Sequence, residues 1–387
     1  MKKAVILFNL GGPDKLENVE PFLFNLFNDP AILNLPSFFR YPLAKLISNR
    51  RTPIAKKIYQ ELGGSSPILK LTEEQSKALE LKLNDEDPNS EYRCFIVMRC
   101  WHPRAEEVLH HVKNFNPDEI ILMPLYPQYS AATSGSSIKE WKDICKKNNL
   151  KIKTSTICCY PTDDNFILAH KEEILKKINN LENFKLIFSA HGLPEKNIKK
   201  GDPYQWQVEQ SVNKIVKSLK IKNLKNFKLI FSAHGLPEKN IKKGDPYQWQ
   251  VEQSVNKIVK SLNIKDLDWV LSYQSRVGPL KWIGPSTEEI IVENSKIGKH
   301  IVLVPIAFVS EHSETLVELD IEYKELADKN GCKNYTRVPA LGTNENYIKA
   351  MSNLIIKKQD YNFNGKLFPP KTQCPNQFVK CPFLNYE

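Results

Sequence analysis

Residues 183–219, NFKLIFSAHGLPEKNIKKGDPYQWQVEQSVNKIVKSL, recur without a change at 226–262, an offset of 43. Each copy opens with an apolar run of strand character and passes through a Gly-Asp-Pro turn. It then carries apolar residues such as Val212, Ile215, Val216 and Leu219 at helical spacing. A solenoid would show several diverged repeats, so an identical pair reads as a single tandem duplication. The flanks INNLEN, IKNLKN and IKDLDW share a hydrophobic frame in which a misaligned exchange could occur. One place in a sheet cannot hold two strands, so one copy is expected in the native place and the other as an added or looped-out element.

The rest of the chain constrains what the duplicated unit joins. AVILFNL (4–10), YRCFIVMRC (92–100), EIILMPLY (119–126), FKLIFSA (184–190 and 227–233), WVLSYQS (269–275) and HIVLVPIAF (300–308) are mostly continuous apolar runs. Such runs mark parallel strands covered by helices on both faces, and hence a doubly wound α/β fold. Polar residues follow the strand ends directly: Asn9 to Pro13, His102, Tyr126 to Ser130, His191 or His234, Gln274 to Pro279, and Ser310 to Glu314. The carboxyl ends of parallel strands line the ligand crevice, so these residues should converge on a cleft. A length of 387 residues suits two lobes. They are expected at 1–150 and 151–345, the second holding both copies, with a C-terminal helix and tail at 346–387.

The net charge of +11 is spread along predicted helices, not gathered in one tract. A solvated surface explains it, and attraction to an anionic membrane face or anionic substrate is the sharper reading. The charge comes with no nucleic-acid-binding motif, so no nucleic-acid partner is expected. MKKAVILFNLGGP reads as a first strand, and no run approaches the roughly 18 apolar residues of a membrane span. A cytoplasmic protein, in peripheral contact with the inner membrane face at most, is expected. Eight scattered cysteines read as reduced thiols. The spacing of Cys374 and Cys381 matches no common metal or iron-sulfur pattern.

After HIVLVPIAF, Ser310 is expected to cap a helix bearing Glu314, Glu318 and Glu322 at intervals of four. Like charges so stacked repel by a few tenths of a kcal/mol. A solvated acidic face and a row of hard oxygen ligands for a divalent cation both stay open. The histidine of SAHGLP follows a buried strand and can face the crevice, although a packed loop histidine has the same signature. Imidazole with carboxylate suits a borderline cation such as Fe²⁺, and imidazole also accepts protons near neutral pH. Tyr59, Ser66, Tyr126, Tyr129 and Ser130 combine aromatic faces with donors, as a flat apolar ligand with anionic groups would need, with Arg99 as a carboxylate partner. Turn chemistry explains their glycine and proline neighbours equally well. The segment 20–51, dense in Phe and Leu, is either a helical core face or an apolar lip that meets a membrane.

In order, LFNLGGP, NRRTPIAKKIYQELGGSSPI, MRCWHP, LYPQYSAATSGSS, FSAHGLP, YQSRVGPLKWIGPST and PIAFVSEHSETLVELDIEY resemble the ferrochelatase family over about residues 3–345. The resemblance implies two Rossmann-like domains of chelatase type with protoporphyrin IX held between them. It implies Fe²⁺ as substrate, no organic cofactor, and protohaem as product, at the last step of haem biosynthesis. By similarity, His191 or His234 with Glu314 handles metal and protons, Glu318 and Glu322 extend the acidic path, and His312 lies beside it. Leu10, Tyr59, Ser66, Arg99, Tyr126, Ser130, Trp282 and Phe308 match pocket positions, and Leu23, Leu26 and Ile32 match the lip. Ala131 stands where animal members carry a cluster cysteine, so no iron-sulfur cluster is expected. His234 lies 80 residues before Glu314, close to the family interval, against 123 for His191. From Ser130 the order reverses, at 61 residues to His191 and 104 to His234. His234 is preferred, because its strand continues without interruption into WVLSYQS. A non-catalytic porphyrin-binding paralogue and a sister chelatase that loads cobalt are the alternatives.

Overall fold

The run KKAVILFN forms β1 (Lys2–Asn9), and its side chains divide between two faces at a period of two. Ala4, Ile6 and Phe8 pack against α4 (Ala105–Phe115) and α5 (Ser136–Lys147) through Val108, Leu109, Val112 and Trp141. Val5 and Leu7 turn the other way, toward Leu79 and Leu83 of α3 (Ile68–Glu86). The structure, a computed structural model, describes residues 1–33, 35–178, 184–189, 201–219, 228–234, 268–274, 286–305, 308–357 and 366–367.

β1 is the interior of a parallel sheet completed by β2 (Glu91–Met98), β3 (Glu119–Pro124), β4 (Lys153–Ile157) and β10 (Lys366–Leu367), in the order β10-β4-β3-β1-β2. A second parallel sheet holds β5 (Phe184–Ser189), β6 (Lys228–His234), β7 (Asp268–Gln274), β8 (His300–Pro305) and β9 (Tyr335–Arg337), in the order β7-β6-β5-β8-β9. Its strand β8 repeats the division of β1. Ile301 and Leu303 pack on Ile290 and Ile291 of α8 (Thr287–Lys296) and on Tyr323 and Ala327 of α9 (Tyr323–Lys329). Val302 and Val304 face inward.

Between the sheets lies a shared helical layer. Phe166 and Ile174 of α6 (Asp164–Ile178), Val212 and Ile215 of α7 (Tyr204–Leu219), and Tyr347 and Met351 of α10 (Glu345–Ile356) form one buried cluster with the inward residues of β1 and β8. Each such side chain contributes roughly 1.5–3 kcal/mol by leaving water, so this layer is what binds the halves together.

The expected α/β architecture of parallel sheets flanked by helices is present. Sequence reading missed β4, β9 and β10, which are short and rich in Lys, Thr, Ser and Tyr, and so lack the apolar run that marks an interior strand. Because β4 pairs with β3, the chain passes from one sheet to the other between Ile157 and Phe184, beyond the expected boundary near 150. The strands of both copies stand in the second sheet as parallel neighbours, with Lys185 opposite Lys228 and Phe188 opposite Phe231. The extra strand is therefore an added member and not a looped-out segment. Ser310 does not cap a helix. Its hydroxyl donates to Gln75 Oε1 at 2.9 Å, and the next helical segment (Glu314–Glu322) has π character and begins after Ser313.

Candidate active site

In an open parallel sheet a ligand crevice forms where the strand order reverses. In the first sheet that point lies between β1 and β3, and in the second between β5 and β8. A cavity meets this rule from both sides. Asn9 and Leu10 end β1, Leu125, Tyr126, Gln128 and Ser130 follow β3, and Phe308, Ser310, His312 and Glu314 follow β8, all on its wall. Its space is about 1140 Å³ with the open mouth included.

The turn after β1 explains the LGGP motif. Gly11 sits at φ +85°, where an L side chain is strained, and a Cβ on Gly12 would lie 2.4 Å from Ser66 Oγ. Ser66 is thus packed against the turn, its amide donating to the Pro13 carbonyl at 2.8 Å. It is not among the residues lining the cavity.

The mouth is bordered by α1 (Val19–Phe27) and by the connection to α2 (Ser37–Glu61). Leu26 and Ile32 line the cavity, whereas Leu23 is buried with Val19, Phe22, Tyr59 and Trp101. Beyond the mouth, Phe38, Phe39, Tyr41, Leu46 and Ile54 are exposed.

Glu314 and Asp29 are the acidic residues on the cavity wall, and Tyr59 approaches Glu314 from α2. Burial, joined by the Glu314 charge, pushes the Tyr59 hydroxyl up to about 12, while a hydrogen bond with Ser313 works against the rise. Glu318 is pushed up to about 7, first by burial and then by Glu314, with Glu322 and Glu288 adding to it and the Tyr323 hydroxyl, donating at 3.2 Å, opposing it. It therefore exchanges a proton near neutral pH. The His312 ring packs on Phe308, with centroids 4.4 Å apart. Among the described residues no group of three or more His, Cys, Asp or Glu side chains is arranged to hold a metal.

Arg99 lies on the wall but is engaged by the protein's own carboxylates. Its guanidinium meets Asp29 at 2.9 Å and Glu140 at 3.3 Å, and its Nε donates to Ser136 Oγ at 2.8 Å. Asp29 also accepts from Ser136 at 2.6 Å, and Arg104 pairs with Glu140 at 2.5 Å. This largely buried network stiffens the wall and holds the Arg99 guanidinium in place on the cavity lining. The buried Gln75 donates to the carbonyls of Val309 and Gly342, both at 2.9 Å, tying α3 to the segment after β8.

Of the residues singled out from sequence, Leu10, Arg99, Tyr126, Ser130, Phe308, Glu314, Leu26 and Ile32 come together on one cavity. Tyr59, Glu318 and Glu322 stand behind or beyond Glu314, and Ser66 and Leu23 serve packing. His102 is exposed and pairs with Glu107 at 2.6 Å, away from the cavity. His191 and Trp282 lie outside the described residues, and His234 is described as the last residue of β6. Sequence reading missed Asp29, Gln75 and Asp202. The turn signals NDP and GDP mark two of them as Asx-type turns, with Asp29 accepting from the Ala31 amide and Asp202 from the Tyr204 amide. Nothing local announces their distant partners.

The ferrochelatase family model matches residues 2–227 and 220–359. The chain belongs to the ferrochelatase family. Each matched segment takes in one full copy of the duplication. The ferrochelatase of Pelagibacter ubique is 73% identical over 387 residues, with 100% of both chains covered. That of Rickettsia felis is 45% identical, with 98% of each covered. Among solved structures, SirB from Bacillus subtilis with Fe3+ aligns over 92% of this chain and 95% of its own, at a TM-score of 0.46 and 12% identity, a likeness too slight to support an argument. Membership makes this chain a lyase of haem biosynthesis that inserts iron into a porphyrin.

Proposed function

We propose that the cavity between the two sheets is the chelation chamber, in which ferrous iron enters protoporphyrin IX to give protohaem. The observation that carries this reading is the meeting of Glu314, His312 and Phe308 with Leu10, Tyr126 and Ser130 on one cavity at the switch points of both sheets.

Loading a free-base porphyrin adds a dication and releases two pyrrole protons, so a chamber needs a route for each. Glu314, facing the cavity, takes the part nearest the metal and the pyrrole nitrogens, together with the histidine of SAHGLP, His234 or His191. Glu318, poised near pH 7, and Glu322 continue an acidic path away from it. Leu10, Leu26, Ile32 and Phe308 supply apolar contact for the macrocycle. Tyr126 and Ser130 bring hydroxyl groups to the same wall. Binding energy from this wall, used to bend the ring out of plane, would expose the pyrrole lone pairs to iron.

The exposed Phe38, Phe39, Tyr41, Leu46 and Ile54, interspersed with Arg40, Lys45, Arg50 and Arg51, suit shallow contact with an anionic membrane surface. None of the described helices is long and apolar enough to cross a membrane. We place the enzyme in the cytoplasm, on the inner membrane face, without an iron-sulfur cluster or organic cofactor and without a nucleic-acid partner. Its two lobes divide after β4.

The test is anaerobic incubation of the purified chain with protoporphyrin IX and Fe²⁺, following porphyrin fluorescence. A catalyst quenches many equivalents progressively. Quenching that stops at one equivalent per chain would replace this reading with that of a porphyrin-binding paralogue.

A further inference from the structure

The two copies are identical in sequence, so only their surroundings can assign them different work. The strand of the first copy, β5, pairs with β8 from Phe184 opposite His300 to Ser189 opposite Pro305. It therefore stands at the switch point of the second sheet, as β1 does in the first. The strand of the second copy, β6, pairs with β5 and β7 and is one place removed.

Beyond β5, the Gly-Asp-Pro turn and helix α7 of the first copy reach the cavity wall. Asp202, fully buried, accepts from the Ser130 hydroxyl at 2.9 Å and the Ala131 amide at 2.8 Å. Gln207, also fully buried, accepts from the Tyr129 amide at 2.6 Å through Oε1 and turns its Nε2 to Cys159 Sγ at 3.2 Å. One turn later Ser211 accepts from Gln128 Nε2 at 3.1 Å. Three residues of one copy thus hold four consecutive residues, Gln128 to Ala131, of which Gln128 and Ser130 line the chamber. Tyr204 of the same copy lines it too.

We propose that Asp202 and Gln207 are positioning residues for the chamber wall Gln128–Ala131, and that the first copy, not the second, is the one built into the active lobe. The proposal rests on the reading of the cavity as the chelation chamber. The physical ground is occupancy. The Ser130 hydroxyl has one proton and the Tyr129 and Ala131 amides one each, and these are already donated to Asp202 and Gln207. Asp245 and Gln250, the equivalents in the second copy, cannot hold the same wall at the same time. A buried carboxylate that accepts two such bonds fixes the wall with charge-assisted strength. Assignment to the first copy runs against the preference for the second drawn from the interval between His234 and Glu314.

The duplication supplies its own control, because Asp202→Ala and Asp245→Ala are the same change in the same local sequence. In the full-length chain, Asp202→Ala should raise KM for protoporphyrin by about tenfold or more with a smaller change in kcat, and lower the thermal midpoint. Asp245→Ala should leave KM and the midpoint unchanged. Asp202→Asn, which keeps one acceptor oxygen, should recover part of the KM loss. Should Asp202→Ala not fold, Asp202→Asn against Asp245→Asn makes the same comparison. Equal effects at the two positions, or the larger effect at Asp245, overturn the proposal. If the unsubstituted chain inserts no iron, the chamber reading fails. The thermal midpoints of the same pair then still decide which copy braces the wall.

Discussion

In the N-terminal sheet, β1 lies between β2 and β3, with β4 beyond β3. In the C-terminal sheet the same order puts a single strand between β7 and β8, and two stand there, β6 and β5. Apart from β10, which extends the first sheet beyond β4, the sheets otherwise correspond. The difference shows where a parallel sheet can absorb a duplicated unit. An interior strand offers the same ladder on both sides, and an identical neighbour pairs with it residue for residue, as Leu186 does with Leu229 and Ile187 with Ile230. Each added strand moves everything beyond it by about 4.8 Å and turns it by roughly 20°. Placed outside β5, that displacement falls on β7 and spares the contact of β5 with β8 at the chamber.

The correspondence of the sheets can be attacked at the chamber first. Glu314→Gln keeps shape and removes the charge next to the metal's place, and iron insertion should fall by about a hundredfold or more while the fold is kept. Steady-state rates with circular dichroism as a control check this. An unaltered rate would remove Glu314 from the chemistry.

A buried leucine in each sheet comes next. Leu7 of β1 and Leu303 of β8 are both fully buried, and Leu→Ala at either should cost about 2–5 kcal/mol in denaturant unfolding. A loss confined to one of them would mean that the halves do not unfold as one unit, against the shared cluster that joins them.

How much of this was legible beforehand differs between the halves for physical reasons. AVILFNL and HIVLVPIAF announced interior parallel strands because both faces of each are covered. KTSTI, the strand next to the short β10, and YTR, an edge strand, gave no such signal, since both are short and carry few apolar residues. Leu10, Tyr126, Ser130 and Glu314 fall in the stretches that follow strand ends and were readable from position, whereas Phe308 was placed in the strand and came only from the family resemblance. Tyr59 sits behind Glu314 and Ser66 under Gly12 because of helix packing that no local pattern encodes. The partner of Arg99, Asp29, lies 70 residues away in sequence, and no local pattern announces the pair. The brace of Asp202 on Ser130 spans 72 residues and is identical in sequence to a segment that cannot make it.

A smaller effect concerns Glu318, behind Glu314. Its proton affinity is raised by folding, to about 7. Stability linked to it is therefore complete below the ordinary carboxylate range and is lost as pH rises through about 7. Glu318→Gln should raise the thermal midpoint at pH 8 and change it little at pH 4. A rise of equal size at both would show that the side chain's charge is not the cause.

The smallest effect is expected from removing the extra unit. Deleting 220–262 returns the second sheet to the strand order of the first, and the shortened chain should fold with iron insertion essentially unchanged. A chain that loses activity on this deletion would show that β6 does work that the N-terminal sheet has no strand for.

The most direct measurement is a structure of the full chain with an unmetallated porphyrin bound. The ring should lie between the ends of the two sheets, against Leu10, Tyr126 and Phe308, with Glu314 facing its pyrrole nitrogens and Asp202 still bonded to Ser130. A ring bound elsewhere, or one approached by the wall with Asp202 withdrawn from Ser130, would contradict it.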